Sequence, residues 1–473
     1  MKRILSLPER TELESLLLKH DIICRCIQDI AAAGGQVFLV GGAVRDLLLQ
    51  LPVKDLDFEV HGLLVDDLKN ILERHGMVNA VGKSFGVLKL RASEQSADID
   101  WSLPRTDSSG RKPEVTIDPY MTIEKALRRR DVTMNAMALD MVTYELHDPF
   151  GGGEDLKNKI LRCPDEKLFI EDPLRFYRVM QFIGRFDMHP DEQLDRVCAT
   201  MDISHISRER IEEEMKKLLL KARTPSKAFR WVAKIGRLQE LFPELFALLS
   251  TQQSEKYHPE GNVFEHTMQV IDAAASLREQ CSDDEHKLSL MYAALCHDIG
   301  KPATTHERAD GKITSYEHEV VGAAMVQPFL SRFCGDKSII KTVKKLVRHH
   351  MDPGNFLKNN ARSSAYKKLA LRLMPETNCA MLALLMEADK RGRNGQGHTP
   401  LPAPVEAVEH FLVKVQQAGV LKAPEAPVLT GADLLDAVEP GPRLGDLVKK
   451  AYDIQIHENI HDKAELRKRV LKR

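Results

Sequence analysis

Strand-like patterning stops at Pro164. Before that point Gln36–Val40 (QVFLV) is a short apolar run, and Leu56–Val60, Val87–Leu90, Ala97–Trp101 and Thr143–His147 read as further short strands. Helical spacing is interleaved at Ala43–Gln50, Val65–Arg74 and Ile123–Met137. After it, Pro173–Phe186, Arg208–Lys221, Pro225–Ile235 and many later segments carry apolar residues at helical intervals, with Ser207 and Thr224 as caps. The pattern predicts an α+β chain: a head with a mixed sheet, then a long, mostly helical remainder. At 473 residues it has room for roughly three domains. The stretch Thr106–Pro119, rich in Ser, Gly and Pro, is expected to be a mobile loop.

The composition, 43% hydrophobic and 29% charged, excludes wholesale disorder. A net charge of -1 excludes nucleic-acid binding by bulk positive charge and leaves room for a local basic face. Cys379–Met386 is among the longest apolar runs and is broken by Glu387 and Asp389, too short to span a bilayer. Met1–Arg10 has no apolar core of a secretory leader. The eight cysteines form no CxxC pair, so free thiols in a reducing cytoplasm are expected.

Leu39–Glu59 (LVGGAVRDLLLQLPVKDLDFE) is the first chemical signal. A strand ending in Gly41-Gly42 lets the backbone approach an anion, and the following helix directs N–H groups to the same place. Arg45 lies in the first helical turn, within reach of a phosphate. Asp55 and Asp57 share one face of a strand. Two carboxylates so close repel each other unless a divalent cation lies between them, and Mg²⁺ suits the task. Asp100 is a weaker third carboxylate, because Asp98 has the same parity.

Two later segments add to it. In RRRDVTMNAMA (Arg128–Ala138), Arg130 abuts an apolar run and is expected to be held against the core. In EDPLRFYR (Glu171–Arg178), Asp172 and Pro173 begin a helix, and Arg175 and Arg178 continue a stripe at i+3 and i+4 spacing. The stripe is either an ordinary set of helix ion pairs or an acceptor beside donors, which mimics the Watson–Crick edge of a base.

In this order and spacing, GGAVRD…KDLDFE, RRDVTMNAMA and EDPLRFYRVMQF resemble the class II nucleotidyltransferases, and within them the bacterial CCA-adding enzymes, over about residues 35–250. The resemblance implies that Asp55 and Asp57 hold catalytic Mg²⁺, that Gly42 and Arg45 contact the triphosphate, and that Arg130 and Arg178 line the nucleotide site. It implies that Glu171, Asp172 and Arg175 read the base of CTP or ATP, with tRNA as the acceptor. Arg208, Arg210, Lys216, Lys217, Lys221 and Arg223 are candidates for its binding face, against the ordinary reading of a solvated charge run.

Histidines mark the third region. Eight of the 18 fall between His258 and His350, where an even spread places about three or four. His266, the adjacent His297-Asp298 of LCHDIGKP, and Asp389 resemble the H…HD…D signature of the HD phosphohydrolases. The resemblance implies that these four ligate one divalent metal such as Ni²⁺ or Mn²⁺ and hydrolyse phosphoesters, including 2′,3′-cyclic phosphates. His318, His349 and His350 are assigned to a second metal or to the phosphate, and Lys301 to phosphate charge. Gly300 and Pro302 are expected to end the helix carrying the pair.

The expected partition is a helical extension at 1–34, the nucleotidyltransferase head at 35–164, a helical neck and body at 165–255, an HD domain at 256–400 and a helical tail at 401–473. Poly(A) polymerase and the A-adding or CC-adding enzymes are the rivals within the family. Outside it stand a synthetase and hydrolase of hyperphosphorylated guanosine nucleotides and a catalytically silent RNA-binding protein. The first places its HD part at the other end of the chain, and the intact Asp55/Asp57 pair argues against the second.

Overall fold

The computed structural model describes residues 2–18, 21–53, 55–80, 86–91, 98–107 and 115–472, in two compact units, Met1–Ile206 and Ser207–Arg473. The expected neck and body at 165–255 is therefore divided between the two. No described helix is long and apolar enough to cross a membrane.

The first unit is built on an eight-stranded sheet. Its strands are β1 (Lys2–Ile4), β2 (Gln36–Val40), β3 (Asp57–His61), β4 (Met77–Ala80), β5 (Val87–Arg91), β6 (Ile99–Ser102), β9 (Ala138–Asp140) and β10 (Glu145–His147). A separate ribbon, β7 (Arg105–Asp107) with β8 (Val115–Ile117), follows β6. The sheet order is β1-β10-β9-β2-β3-β6-β5-β4, antiparallel throughout except for the parallel pair β3–β6. Phe58 and Trp101, stacked with centroids 4.6 Å apart, fill the core beneath that pair.

Three expectations change. The N-terminal extension is helical at α1 (Leu7–Leu18) and α2 (Asp21–Ala32), but it begins with β1, which pairs with β10 at the sheet edge. The expected loop at 106–119 is a β-ribbon at its described ends, and 108–114 lies outside the described residues. The helix expected over Ile123–Met137 stops as α5 (Ile123–Arg128), where α3 is Gly42–Leu48 and α4 is Val65–Leu72, and gives way to a 3-10 turn at Thr133–Asn135. Asp131 causes the break: its Oδ1 accepts from Val132 N (2.8 Å) and Asn135 Nδ2 (3.0 Å), replacing helical backbone bonds.

Asp131 is buried and paired with Arg178 at 2.6 Å on α6 (Leu174–Phe186). Although burial alone raises it, Arg178 and Asn135 hold its carboxyl down at about 2. Asp131→Ala, which takes the carboxylate from Arg178 and the acceptor from Val132 N and Asn135, should cost about 1–3 kcal/mol at pH 7 in denaturant unfolding. A depressed carboxyl stabilises only where it is ionised. The gap between parent and variant should therefore narrow as pH falls from about 4 towards 2, and a gap that stays constant would refute the assignment.

The second unit is helical apart from an antiparallel ribbon of Thr305–Glu307 with Ile313–Ser315, a departure from the strand signals that end at Pro164. Its centre is α8 (Val263–Leu277), buried on almost every side, packed against α12 (Cys379–Arg391) and α9 (Asp284–Cys296). Both α10 (His318–Leu330) and α9 pack on α11 (Lys337–His349); α7 (Arg208–Lys221) opens the unit.

Candidate functional site

In the first unit, β2 ends in a turn whose backbone only glycine adopts comfortably. Gly41 has φ +70°, and a Cβ on it would meet Arg130 Nη1 at 2.6 Å. Gly42, the expected contact residue, starts α3 at negative φ; the strict requirement for glycine falls on its neighbour. Arg130 lies over this turn, 3.9 Å from buried Glu59 of β3.

Asp55 precedes β3 and Asp57 opens it. The parallel register sets Asp57 directly beside Asp100 of β6. This resolves the parity ambiguity, because Asp98 is drawn away by Arg91 at 2.7 Å. Lys89 approaches Asp100 at 3.4 Å. Surrounding protein raises the Asp57 carboxyl above its ordinary range; Arg130 opposes the rise and the charges of Asp100 and Asp55 add to it. Asp57 and Asp100 stand side by side, with Asp55 two residues before Asp57, so hard oxygen donors suited to a divalent cation are placed at this strand end, partly balanced by Lys89 and Arg130.

Arg45 departs from expectation. Its guanidinium is buried, donating to Asn135 Oδ1 at 2.8 Å and to Asp46 Oδ1 at 2.7 and 2.8 Å, and packing on the Phe186 ring at 4.5 Å. It ties α3 to the Asp131 turn instead of standing open to a phosphate.

The start of α6 is as expected, with Asp172 Oδ1 accepting from Leu174 N at 3.2 Å. Arg175, however, forms no ion pair with Glu171. It turns inward, donating to Leu168 O at 2.8 Å and Arg129 O at 2.5 Å, because half-buried carbonyls without partners are costly and a guanidinium has donors to spare. Burial lowers its basicity, against the pull of Asp131 and Asp172. Arg178 is engaged by Asp131.

The histidine cluster of the second unit is better assembled than its sequence promised. His266 (α8), His297 and Asp298 (after α9) and Asp389 (α12) converge: His266 Nε2 lies 3.1 Å from Asp389 Oδ1, 3.3 Å from His297 Nε2 and 3.7 Å from Asp298 Oδ2. His318 and His350 join them through the other carboxylate oxygen, at 3.3 and 3.9 Å from Asp298 Oδ1. Their Nε2 atoms are 3.1 Å apart.

Each imidazole has its Nδ1 beside a backbone carbonyl: Gly392 for His266, Ala294 for His297, Ser315 for His318 and Val347 for His350, at 2.7–3.1 Å. A carbonyl there demands an Nδ1–H, so a neutral ring turns its Nε2 lone pair inward. Four lone pairs and two carboxylates then face one another. Only cations relieve such a set, and mixed nitrogen and oxygen donors suit a divalent transition ion. Burial and the neighbouring His318 and His297 push His350 down to about 3, which keeps it a neutral donor. Burial opposes charge on His266 and His318, but Asp389 and Glu260 raise the first and Asp298 raises the second. Lys301 Nζ sits 2.7 Å from Asp298 Oδ2.

His349 is corrected: it turns away to Asp352 at 2.8 Å. Gly300 ends no long helix; α9 has stopped at Cys296, and Pro302 lies in a short helix of its own. Gly300 is required by contact, since a Cβ would meet His318 O at 2.2 Å. Two residues of this site had no sequence signal in their spacing. Arg393 braces Asp389 at 3.0 Å, and buried Glu260 accepts from Nδ1 of His266 (2.7 Å) and His258 (2.9 Å). Such outer carboxylates orient metal-binding imidazoles. Glu260→Ala should weaken Mn²⁺ or Ni²⁺ binding about 10–100-fold in equilibrium dialysis while nucleotide incorporation stays at the parent level.

The chain is similar to known proteins over most of its length. The Poly A polymerase head domain matches residues 37–162, the probable RNA and SrmB-binding site of polymerase A matches 196–249, and the HD domain matches 263–390. The fold is similar to the Thermotoga maritima CCA-adding enzyme complexed with tRNA (TM-score 0.64, 18% identity, 100% of this chain and 98% of that one). It is also similar to the Bacillus stearothermophilus CCA-adding enzyme in complex with CTP (0.64, 20%, 98% of each). The Multifunctional CCA protein of Pasteurella multocida is 34% identical over 373 residues, 76% of this chain and 84% of that one. That of Ralstonia nicotianae is 34% identical over 404 residues, 80% and 87%. At that identity across most of both relatives, the chain belongs to the family of multifunctional CCA proteins.

Proposed function

We propose that this chain adds or repairs the 3′-terminal CCA of tRNA from CTP and ATP without a nucleic-acid template, and that its HD domain is a metal-dependent phosphohydrolase acting on 2′,3′-cyclic and 2′-phosphates. The carrying observation is the pairing of Asp57 with Asp100 across β3–β6, two residues after Asp55 and beside the Gly41-Gly42 turn, in a chain of this family.

Asp55 and Asp57, with Asp100 beside them, hold Mg²⁺, which supplies charge neutralisation for attack of the tRNA 3′-hydroxyl on the α-phosphorus and departure of pyrophosphate. Gly41 and Gly42 bring backbone close to the triphosphate, and Arg130, over that turn, faces its charge. Arg45 and the Arg178–Asp131 pair position these groups. Glu171, Asp172 and the donors of Arg175 not taken by carbonyls read the base edge. In the HD domain, His266, His297, Asp298 and Asp389 hold a divalent ion such as Ni²⁺ or Mn²⁺, which supplies Lewis acidity; His318 and His350 share Asp298 and offer a second position. All eight cysteines are free, which fits a reducing cytoplasm.

The test is incubation of tRNA lacking its 3′ end with labelled CTP and ATP, separately and together. Ordered addition that stops at CCA supports the reading. Unlimited adenylation of any RNA from ATP alone would make the chain a poly(A) polymerase. Incorporation of only A, or only CC, would make it a partial adder.

A further inference from the structure

Exposure is uneven around the histidine cluster, and it marks where a substrate can enter. The side chains of His266, His297, Asp298, His318 and His350 are at most 7% exposed. Those of Lys301, His258, Asp389 and Arg393 reach 10, 13, 13 and 24%. Lys301 and Arg393 both repel a proton on His258, so these three stand in one locality. Water meets the cluster on their side, and Arg393 is the side chain most open to it.

Arg393 also has donors to give. Its Nη2 lies 3.0 Å from each oxygen of Asp389. Its Nε is buried without an acceptor, and among the described residues Nη1 has none either. Asp389 Oδ1 is shared with His266 Nε2 at 3.1 Å, which sets the guanidinium one carboxylate oxygen away from a metal-binding imidazole. Lys301 stands in the same relation to Asp298 Oδ2, but Gln253 Oε1 takes a further donor of its ammonium at 2.6 Å. Bracing Asp389 uses Nη2 alone and leaves Nε desolvated and unpaired, a cost that a bound oxyanion removes.

The charge balance points the same way. Asp298, Asp389 and Glu260 face Lys301 and Arg393, one carboxylate more than cations. A divalent ion held by neutral imidazoles turns this excess into one positive charge, and a singly charged phosphodiester cancels it.

We propose that Arg393 binds the substrate phosphate at the mouth of the HD site, with Nε and Nη1 donating to non-bridging oxygens while Nη2 stays on Asp389. This rests on the reading of the cluster as a phosphohydrolase, and it makes Arg393 a substrate contact as well as a support for a metal ligand.

The experiment uses the full chain at saturating Mn²⁺, so that any loss of metal affinity is offset, and compares the parent with Arg393→Ala and Arg393→Lys. Arg393→Ala should lower kcat/KM on a 2′,3′-cyclic mononucleotide about 10–100-fold, mainly through KM. Arg393→Lys, which keeps the charge without the planar fork, should fall between. If raising Mn²⁺ alone returns Arg393→Ala to the parent rate, Arg393 only supports Asp389 and the proposal is overturned.

Binding of labelled inorganic phosphate, measured by equilibrium dialysis with CTP present to occupy the head, reads the contact without hydrolysis. Arg393→Ala should weaken it about 10-fold while bound Mn²⁺ stays at the parent level. Unchanged phosphate affinity, or a parent that binds no phosphate in the presence of Mn²⁺, overturns the proposal. Where Arg393→Ala melts earlier than the parent, Arg393→Lys carries the same two measurements. If the parent hydrolyses no phosphoester, the phosphohydrolase reading fails by itself, and the dialysis still decides whether Arg393 holds an oxyanion.

Discussion

Asp57→Ala should reduce CMP and AMP incorporation into tRNA by on the order of 10³-fold or more, with cyclic-phosphate hydrolysis unchanged. A metal that neutralises a transferring phosphoryl group contributes several kcal/mol, and each 1.36 kcal/mol is a factor of ten in rate. Removing Asp57 takes away the carboxylate that stands directly beside Asp100 across the parallel pair β3–β6. Asp55→Ala should behave alike. Asp98→Ala, on the same strand side in sequence but paired with Arg91, should retain activity within a few-fold. Loss of folding is separable from loss of chemistry. The Asp57 carboxyl is raised in the folded state, so its ionised form at neutral pH costs stability, and Asp57→Asn should melt no earlier than the parent. A variant that melts early and loses both activities would count against the assignment. So would an Asp57→Ala protein that still synthesises CCA.

The second large effect is expected at Asp298. Each of its oxygens serves one half of the cluster: Oδ2 with His297 and His266, Oδ1 with His318 and His350. Asp298→Ala should therefore abolish phosphohydrolysis and strip bound Mn²⁺ or Ni²⁺, measured by dialysis and elemental analysis, while CCA synthesis stays at the parent rate. His349→Ala is the contrasting control. That imidazole is directed at Asp352, and its loss should leave metal content unchanged. Because Lys301 loses its carboxylate partner in Asp298→Ala and keeps only Gln253, Asp298→Asn provides a variant with nearly the same volume and hydrogen-bonding capacity. Retained metal and hydrolysis in both variants would refute the site.

Much of the head was legible in local order. Gly41-Gly42 after an apolar strand, two aspartates one residue apart, and Asp172-Pro173 before a helical stripe are signals within a few residues, where backbone geometry decides which side chains share a face. The break at Asp131 was less legible, since it depends on a carboxylate bonding to Val132 and Asn135 and paired with Arg178 from another element. Arg45 and Arg175 misled for a related reason. Position along a helix says where a guanidinium begins, but the buried acceptors it must satisfy, Asn135 for one and the carbonyls of Leu168 and Arg129 for the other, come from elsewhere in the chain.

The amino-acid order by itself determined the α+β division and the Asp55/Asp57 pair, because each rests on short-range periodicity, while the H…HD…D set, whose His266 and Asp389 are 123 residues apart, was legible only as a resemblance to the HD phosphohydrolases. Only the tertiary structure chose Asp100 over Asp98, recruited Glu260 and Arg393, kept His318 and His350, and dismissed His349. Those choices depend on strand register and on helices far apart in sequence packing against one another. A lone pair or carboxylate finds its partners only after the hydrophobic core has set the distances between elements.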